Sequence, residues 1–310
     1  MSQSLGFWEA GPTDYELSPE IVGDIVRTQF PDIPAVTVAP MDEGWENQTF
    51  LVDGHLVFQF PRHVDGVGGF DWEHGVNELV ASVIGDRVGI PRFTRWGQPS
   101  PRYPRLFVGY ELVPGVAANN PSVPLNPALA DDIGVVLARL HAIPPEAATA
   151  VGAGTADPEK SDLVAGLERV RHWVNTMPEI RRKLPELCAW LDGVRQAPDP
   201  YAGPPRFIHD DFQMEHVLVH PTTGRLTGII DWGPGLGDPM RDFSYVLLHG
   251  GWSFFHRALA AYDLPLDAEF IDRTLFSARL GALYWLAYSL THAGSIPDAL
   301  ATAHRVLVLD

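Results

Sequence analysis

Two neighbouring stretches decide how this chain reads. The first is Phe207-Ile208-His209-Asp210-Asp211-Phe212-Gln213-Met214-Glu215-His216-Val217-Leu218-Val219. The second, a few residues on, is Leu226-Thr227-Gly228-Ile229-Ile230-Asp231-Trp232-Gly233. In each, an apolar run with strand character ends at a polar loop, so Asp211 and Asp231 sit on two loops bounded by strands. A carboxylate at the end of a buried strand is costly unless it is paired or holds a metal.

That layout suits phosphoryl transfer, in which one Asp orients an attacking hydroxyl and a second holds a magnesium ion against the phosphates. It is similar to the kinase pattern H-x-D-x-x-x-x-N followed by D-F-G. Here His209-x-Asp211 opens the pattern, His216 takes the Asn position, and Asp231-Trp232-Gly233 closes it. Asp211 would hold the substrate hydroxyl in line, and His209 would brace the loop. A neutral imidazole at His216 can reach a metal through one ring nitrogen. Further on, Gly237-Asp238-Pro239-x-x-Asp242 reads as a helix start that supports the loop, with Asp238 as N-cap and Pro239 in the first turn.

Working outward, 310 residues predict two domains or a two-lobed unit. Ser18-Pro19 opens a helix over 18–30. Gln48–Val52 and Leu56–Phe60 flank Asp53-Gly54, a strong hairpin signal. Residues 72–85 read as a helix and 105–113 as a strand closed by Pro114-Gly115. From about residue 126 helical spacing dominates: Asp131–His141, Leu163–Val174, Pro185–Val194 and the region 241–308. The fold class expected is therefore α+β. A small β-rich lobe over 1–113, ending in a hinge strand, precedes a larger, mainly helical lobe over 114–310, and a ligand would sit in the cleft of such an arrangement.

In the first lobe, Gly44-Trp45-Glu46-Asn47 precedes a hairpin strand, where Gly44 and Asn47 would let a turn approach phosphates. Glu78 would anchor a phosphate-binding cation. Tyr110-Glu111-Leu112-Val113 would be the hinge, with the backbone of Tyr110, Glu111 and Val113 reading the base.

Charge and cysteine content narrow the partners. Lys and Arg total 22 and Asp and Glu 39, a net charge of −17. This argues against nucleic acid, whose binding draws on Lys and Arg, and is compatible with a cationic small molecule. Cys188 stands alone, so no disulfide framework or Cys-based zinc site is expected. No apolar run approaches the roughly 20 residues of a membrane span. No membrane partner and a cytoplasmic location are expected.

Taken together, these residues resemble the aminoglycoside phosphotransferase family, including its macrolide phosphotransferases, over about residues 40 to 290. His209-x-Asp211, Asp231-Trp232-Gly233 and Gly237-Asp238-Pro239 carry the resemblance; Gly44-x-x-Asn47 and Leu137-Ala138-Arg139-Leu140-His141 add to it. It implies a protein-kinase-like fold and transfer of a γ-phosphate from ATP or GTP, with Mg²⁺, to a hydroxyl of a small molecule. Asp211 is then the catalytic Asp, with His216 and Asp231 as metal ligands. His in place of Asn is similar to the macrolide kinases and to one aminoglycoside 2″-kinase branch.

One position departs from the family. In Val57-Phe58-Gln59-Phe60-Pro61-Arg62, Gln59 stands where the family's strand carries a phosphate-binding Lys or Arg. An amide donates a hydrogen bond but brings no charge; Arg62 or His63, near the strand end, is the nearest cation. For the acceptor, Trp252, Phe255, Tyr284 and Tyr288 lie in aromatic helical stretches that fit a large apolar molecule, a macrolide, better than a polycationic aminoglycoside. The same aromatics also suit a core. A binder that has lost catalysis, and a metabolic small-molecule kinase, are the alternatives.

Overall fold

The computed structural model describes residues 13–41, 47–63, 69–123, 125–156, 162–292 and 295–307. The chain divides into two compact units: Met1–Glu78 with Ile90–Val113, and Leu79–Gly89 with Pro114–Asp310.

In the first unit, helix α1 (Pro19–Gln29) starts at Ser18, whose side chain accepts the Ile21 N–H. Strands β1 (Val38–Pro40), β2 (Asn47–Val52) and β3 (Leu56–Pro61) precede helix α2 (Gly69–Ile84), whose last turns fall in the second unit. Strands β4 (Arg95–Gly97) and β5 (Phe107–Glu111) complete an antiparallel five-stranded sheet in the order β1-β2-β3-β5-β4. The β2–β3 connection, Asp53 to His55, turns at Asp53-Gly54, whose φ of 49° and 73° form a left-handed pair closed by the His55 N–H on the Val52 carbonyl at 3.2 Å. Asp53 fits because its carboxylate also accepts the N–H groups of Val36 and Thr37.

Strand alternation splits this core. Phe50, Leu56, Phe58, Phe60 and Phe107 pack with Val22, Ile25 and Val26 of α1. Val57, Val108 and Tyr110 point the other way and pack with Phe70 and Phe93. Gly109 pairs with Phe58, and a Cβ there would stand 2.5 Å from the Phe58 ring, so only glycine lets the ring lie across the strand.

The second unit holds β6 (Val116–Ala117), α3 (Pro127–His141), α4 (Pro145–Ala150), α5 (Leu163–Thr176), α6 (Pro178–Lys183) and α7 (Pro185–Gly193). Then come β7 (Arg206–Ile208), β8 (Val217–Val219), β9 (Leu226–Ile229) and β10 (Gly235–Gly237), followed by α8 (Met240–Ala260), α9 (Phe270–Thr291) and α10 (Ile296–Arg305). Two small sheets form, β6-β8-β9 and β10-β7. Asn126 caps α3 by accepting the Leu129 N–H. α3 lies so close to α8 that a Cβ on Gly134 would stand 2.0 Å from the Ala258 carbonyl oxygen. The region 241–308, expected to be helical, forms α8, α9 and α10, and inside α8 the backbone kinks at Gly251, with φ 76° and ψ −177°. No described helix is long and apolar enough to cross a membrane.

Candidate active site

The two loops read from the sequence are brought together by strand pairing. β8 starts just after His216, and β9 ends just before Ile230. Their antiparallel register sets Val217 opposite Ile229. His216 therefore lies beside Ile230, whose N–H donates to the His216 carbonyl at 3.0 Å. One residue further, His216 Nε2 comes within 3.1 Å of Asp231 Oδ2.

His209 locks the loops from behind. Its ring is buried, and burial lowers its pKa, so the neutral form holds. Nδ1 accepts the Asp211 N–H at 3.3 Å, while Nε2 donates to the Ile230 carbonyl at 3.1 Å. One imidazole thus ties the Asp211 backbone to the residue before Asp231. Trp232 covers it, ring centroids 4.5 Å apart.

Asp211, His216 and Asp231 each offer a ligand atom, and these atoms lie within 4.8 Å of one another. His216 Nδ1 donates to the Asp211 carbonyl at 2.8 Å, which fixes the ring and leaves Nε2 for a ligand. Burial pulls this imidazole down, but the hydrogen bond and charge of Asp231, with Asp211, raise its pKa to about 9. A metal ion held at Nε2 would displace the proton from that nitrogen. Two carboxylates suit a hard cation such as Mg²⁺, with the imidazole as third ligand. Asp211 joins this cluster, and its Oδ1 accepts from Gln213 Nε2 at 2.8 Å. Gln213 had no signal in the sequence beyond lying in the loop.

Beneath the loop lies a buried polar hub. Asp242 Oδ2 accepts the His209 N–H at 2.9 Å, and Oδ1 accepts the Asp210 N–H at 3.0 Å. His141 Nε2, 3.0 Å away, donates to the same Oδ2, and His141 Nδ1 meets the Tyr262 hydroxyl at 2.9 Å. Burial pushes the Asp242 carboxyl up, but His141 and the amides hold it below its ordinary value. Asp210 has φ 62°, and its carboxylate pairs with buried Arg241 at 2.9 Å. Asp231 shares that φ of 62°, a left-handed geometry that Asp tolerates better than most residues. The sequence reading has Gly237-Asp238-Pro239-x-x-Asp242 as a support of the loop, and Asp242 gives that support through the His209 and Asp210 amides. The Gly-Asp-Pro-x-x-Asp and Leu-Ala-Arg-Leu-His motifs were the hub's only trace.

The helix-start expectation shifts by one residue. α8 is assigned from Met240, and Pro239 is its N-cap. Asp238 Oδ1 still accepts the Met240 N–H at 2.9 Å, and Oδ2 accepts from Arg273 Nε at 2.6 Å.

In the first unit, Gln59 lies on β3 opposite Thr49 and Val108. It is partly buried, and its Oε1 has no hydrogen-bond partner among the described residues. Asn47 opens β2 opposite Pro61. Arg62 is buried, its carbonyl accepting the Asp14 N–H. Glu78 is engaged by Arg92, at 2.8 Å and 2.5 Å. Tyr110 is 8% exposed and packs on Phe93, so its side chain belongs to the core, while Glu111 is exposed and Val113 buried. Gly44 lies outside the described residues.

Among the aromatics proposed to meet the acceptor, the structure corrects one. Phe255 is wholly buried against Phe243 and Trp252 and presents no surface to a ligand. Tyr284 and Tyr288 are half-buried on α9, stacked 6.4 Å apart. Burial raises the pKa of both; Asp211 adds to this at Tyr284, and Glu215 at Tyr288. Both therefore lie within the field of the catalytic loop. Trp252 is 8% exposed.

Comparison with known proteins follows the same lines. Residues 37–279 match the sequence profile of the phosphotransferase enzyme family, APH. This chain belongs to that family. The GDP and kanamycin complex of APH(2″)-IIIa is 24% identical, covers 92% of this chain and 98% of its own, and has a TM-score of 0.70. Macrolide 2′-phosphotransferase MphH from Brachybacterium faecium is 22% identical over 94% of this chain and 99% of its own, with a TM-score of 0.65. These likenesses establish the protein-kinase-like APH fold. A curated protein of Arabidopsis thaliana, "Probable acyl-CoA dehydrogenase IBR3", is 36% identical over 73 residues, 23% of this chain but 9% of that protein.

Proposed function

We propose that this chain is a nucleoside-triphosphate-dependent O-phosphotransferase that moves the γ-phosphoryl group to a hydroxyl of a small molecule. The observation that carries the reading is the convergence of Asp211, His216 and Asp231 on two loops cross-braced by His209. Asp211 orients the acceptor hydroxyl and takes its proton. His216 and Asp231 would hold Mg²⁺, which when bound offsets charge on the phosphates. We assign nucleotide binding to residues up to Val113 and catalysis with acceptor binding to the rest, acting in the cytoplasm. GDP in the APH(2″)-IIIa complex makes GTP as good a candidate donor as ATP. Among antibiotics, Tyr284, Tyr288 and Trp252 favour a macrolide over an aminoglycoside.

The test is phosphate transfer by purified protein with Mg²⁺ and ATP or GTP across macrolides, aminoglycosides and simple hydroxylated compounds. Turnover on one class supports the reading. Silence on all of them, together with no hydrolysis of either nucleotide, sinks it.

A second reading has one observation behind it. Gln59 brings no charge where the family has a cation, and its carbonyl oxygen has no partner among the described residues. On this reading the chain binds its ligands but transfers phosphate poorly or not at all. Gln59→Lys is then expected to tighten ATP or GTP binding by calorimetry about tenfold or more, the worth of one charge-assisted contact. No gain means that another cation already serves the phosphates.

A further inference from the structure

The Asp211 side chain is 28% exposed, and its nearest basic atom, His216 Nδ1, lies 3.8 Å from Oδ2, beyond hydrogen-bond reach. Among the described residues, one side chain donates a hydrogen bond to this carboxylate. It is Gln213, whose Nε2 stands 2.8 Å from Oδ1. A carboxylate ion only accepts, so the amide nitrogen has to face it, and the amide is fixed in one orientation.

The backbone of Gln213 is tied to both residues whose side chains the loop presents. Its N–H donates to the Asp211 carbonyl at 2.8 Å, and its own carbonyl accepts the His216 N–H at 3.0 Å. His216 Nδ1 donates to that same Asp211 carbonyl at 2.8 Å. The turn from Asp211 to His216 is thus closed on itself. Phe212 and Met214, on either side of Gln213, are buried, and the Met214 carbonyl accepts the Asn119 N–H at 3.3 Å. These bonds fix the backbone. What they leave free is the rotation of the Asp211 carboxylate about its own side-chain bonds, and the Gln213 amide stops it.

On the phosphotransferase reading, we infer that Gln213 is the positioning residue of the catalytic Asp. Its amide holds Oδ1 and so leaves Oδ2 for the acceptor hydroxyl. In transfer the acceptor oxygen bonds to the γ-phosphorus, and the bond from that phosphorus to the β–γ bridging oxygen breaks. The hydroxyl proton passes to Oδ2. Attack and proton transfer both need the carboxylate in one rotamer, and misplacing a reacting group by about 1 Å can cost on the order of a hundredfold. In this role Gln213 touches neither acceptor nor nucleotide, and its effect runs through Asp211 alone.

The test is a double-substitution cycle on rates with Mg²⁺ and ATP or GTP, read on erythromycin, kanamycin and water as acceptors. Gln213→Met keeps the length of the side chain and removes its donor. It is expected to lower kcat about ten- to a hundredfold and to leave KM for the nucleotide within about twofold. Gln213→Glu keeps the shape but sets a second carboxylate against Asp211, and is expected to lose more than Gln213→Met. In an Asp211→Ala background, Gln213→Met should change the residual rate by no more than about twofold, because residues that act as a unit are not additive. Urea unfolding of each variant ensures that folded proteins are compared, and if Gln213→Met does not fold, Gln213→Glu decides. Equal losses from Gln213→Met in both backgrounds mean that it acts on the loop and not through Asp211, and overturn the inference. So does a Gln213→Met rate within about twofold of the parent, or a Gln213→Glu rate above that of Gln213→Met. A parent that neither transfers to an acceptor nor hydrolyses a nucleotide sinks the phosphotransferase reading and this inference with it. An active parent indifferent to residue 213 sinks the inference alone.

Discussion

Asp211→Asn is expected to lower phosphate transfer by about a thousandfold, within the range for loss of a positioned general base. The unfolding curve should not move. Asn keeps the shape of the side chain and one oxygen for Gln213 Nε2. The lost charge reaches one partly buried cation, the His216 imidazolium, whose Nδ1 is 3.8 Å from a side chain that is 28% exposed, and Asp231 stays paired with that ring at 3.1 Å. That His216 nitrogen already donates to the Asp211 backbone carbonyl, which the substitution leaves in place. The variant therefore separates chemistry from folding. Turnover and urea denaturation on the same preparation decide the matter. Residual transfer above about one-hundredth of the parent rate is too much for a residue that both orients the hydroxyl and takes its proton.

Much of this site was legible because its geometry follows from local rules. Apolar runs of strand length end at Ile208 and Ile230, and polar loops must follow. Once β8 and β9 pair antiparallel, His216 and Asp231 have to meet. The hairpin at Asp53-Gly54 and the start at Ser18-Pro19 are equally local, each set by the backbone angles or capping chemistry of two or three residues; α3, read from Asp131, starts four residues earlier at Pro127 behind its Asn126 cap. The motif order also led to the family, whose sequence profile matches residues 37–279.

What stayed hidden is long-range. Glu78 could be read as the anchor of a cation, but that its partner is Arg92, on the far side of the α2 C-terminus, has no periodic signature. Helical spacing gives Trp252 and Phe255 the same apolar character. The break at Gly251 and packing against Phe243 send one to the bend and the other into the core. The Gly250-Gly251 pair was the available warning, since glycine inside a helix is costly unless a kink needs it. Composition was no guide to the acceptor: a net charge of −17 is merely compatible with a cationic molecule, while the aromatic helices suited an apolar one.

The same long-range logic makes Asp242 the largest expected loss of stability in the second unit. Asp242→Ala should cost on the order of 3–5 kcal/mol, as when one member of a buried charged network is removed. Both Asp242 and His141 are fully buried. Without the carboxylate, the N–H groups of His209 and Asp210 and the Nε2 of His141 lose their acceptor together, and water cannot readily replace it. Asp242→Asn is the milder control: it keeps one acceptor oxygen but points an amide N–H₂ at a donor. It should fall between Ala and the parent. The pH dependence has a definite sign. A carboxyl held below its ordinary value of 3.8 contributes its full stability above that pH and loses it as pH falls toward the folded-state value. Acid unfolding of the parent should therefore be steeper than that of Asp242→Asn below about pH 4. Urea midpoints across pH, with an unchanged slope against denaturant, measure this directly. A loss below about 1 kcal/mol for Asp242→Ala means the hub is dispensable, and His209 would then owe its place to its contacts with Asp211, Ile230 and Trp232.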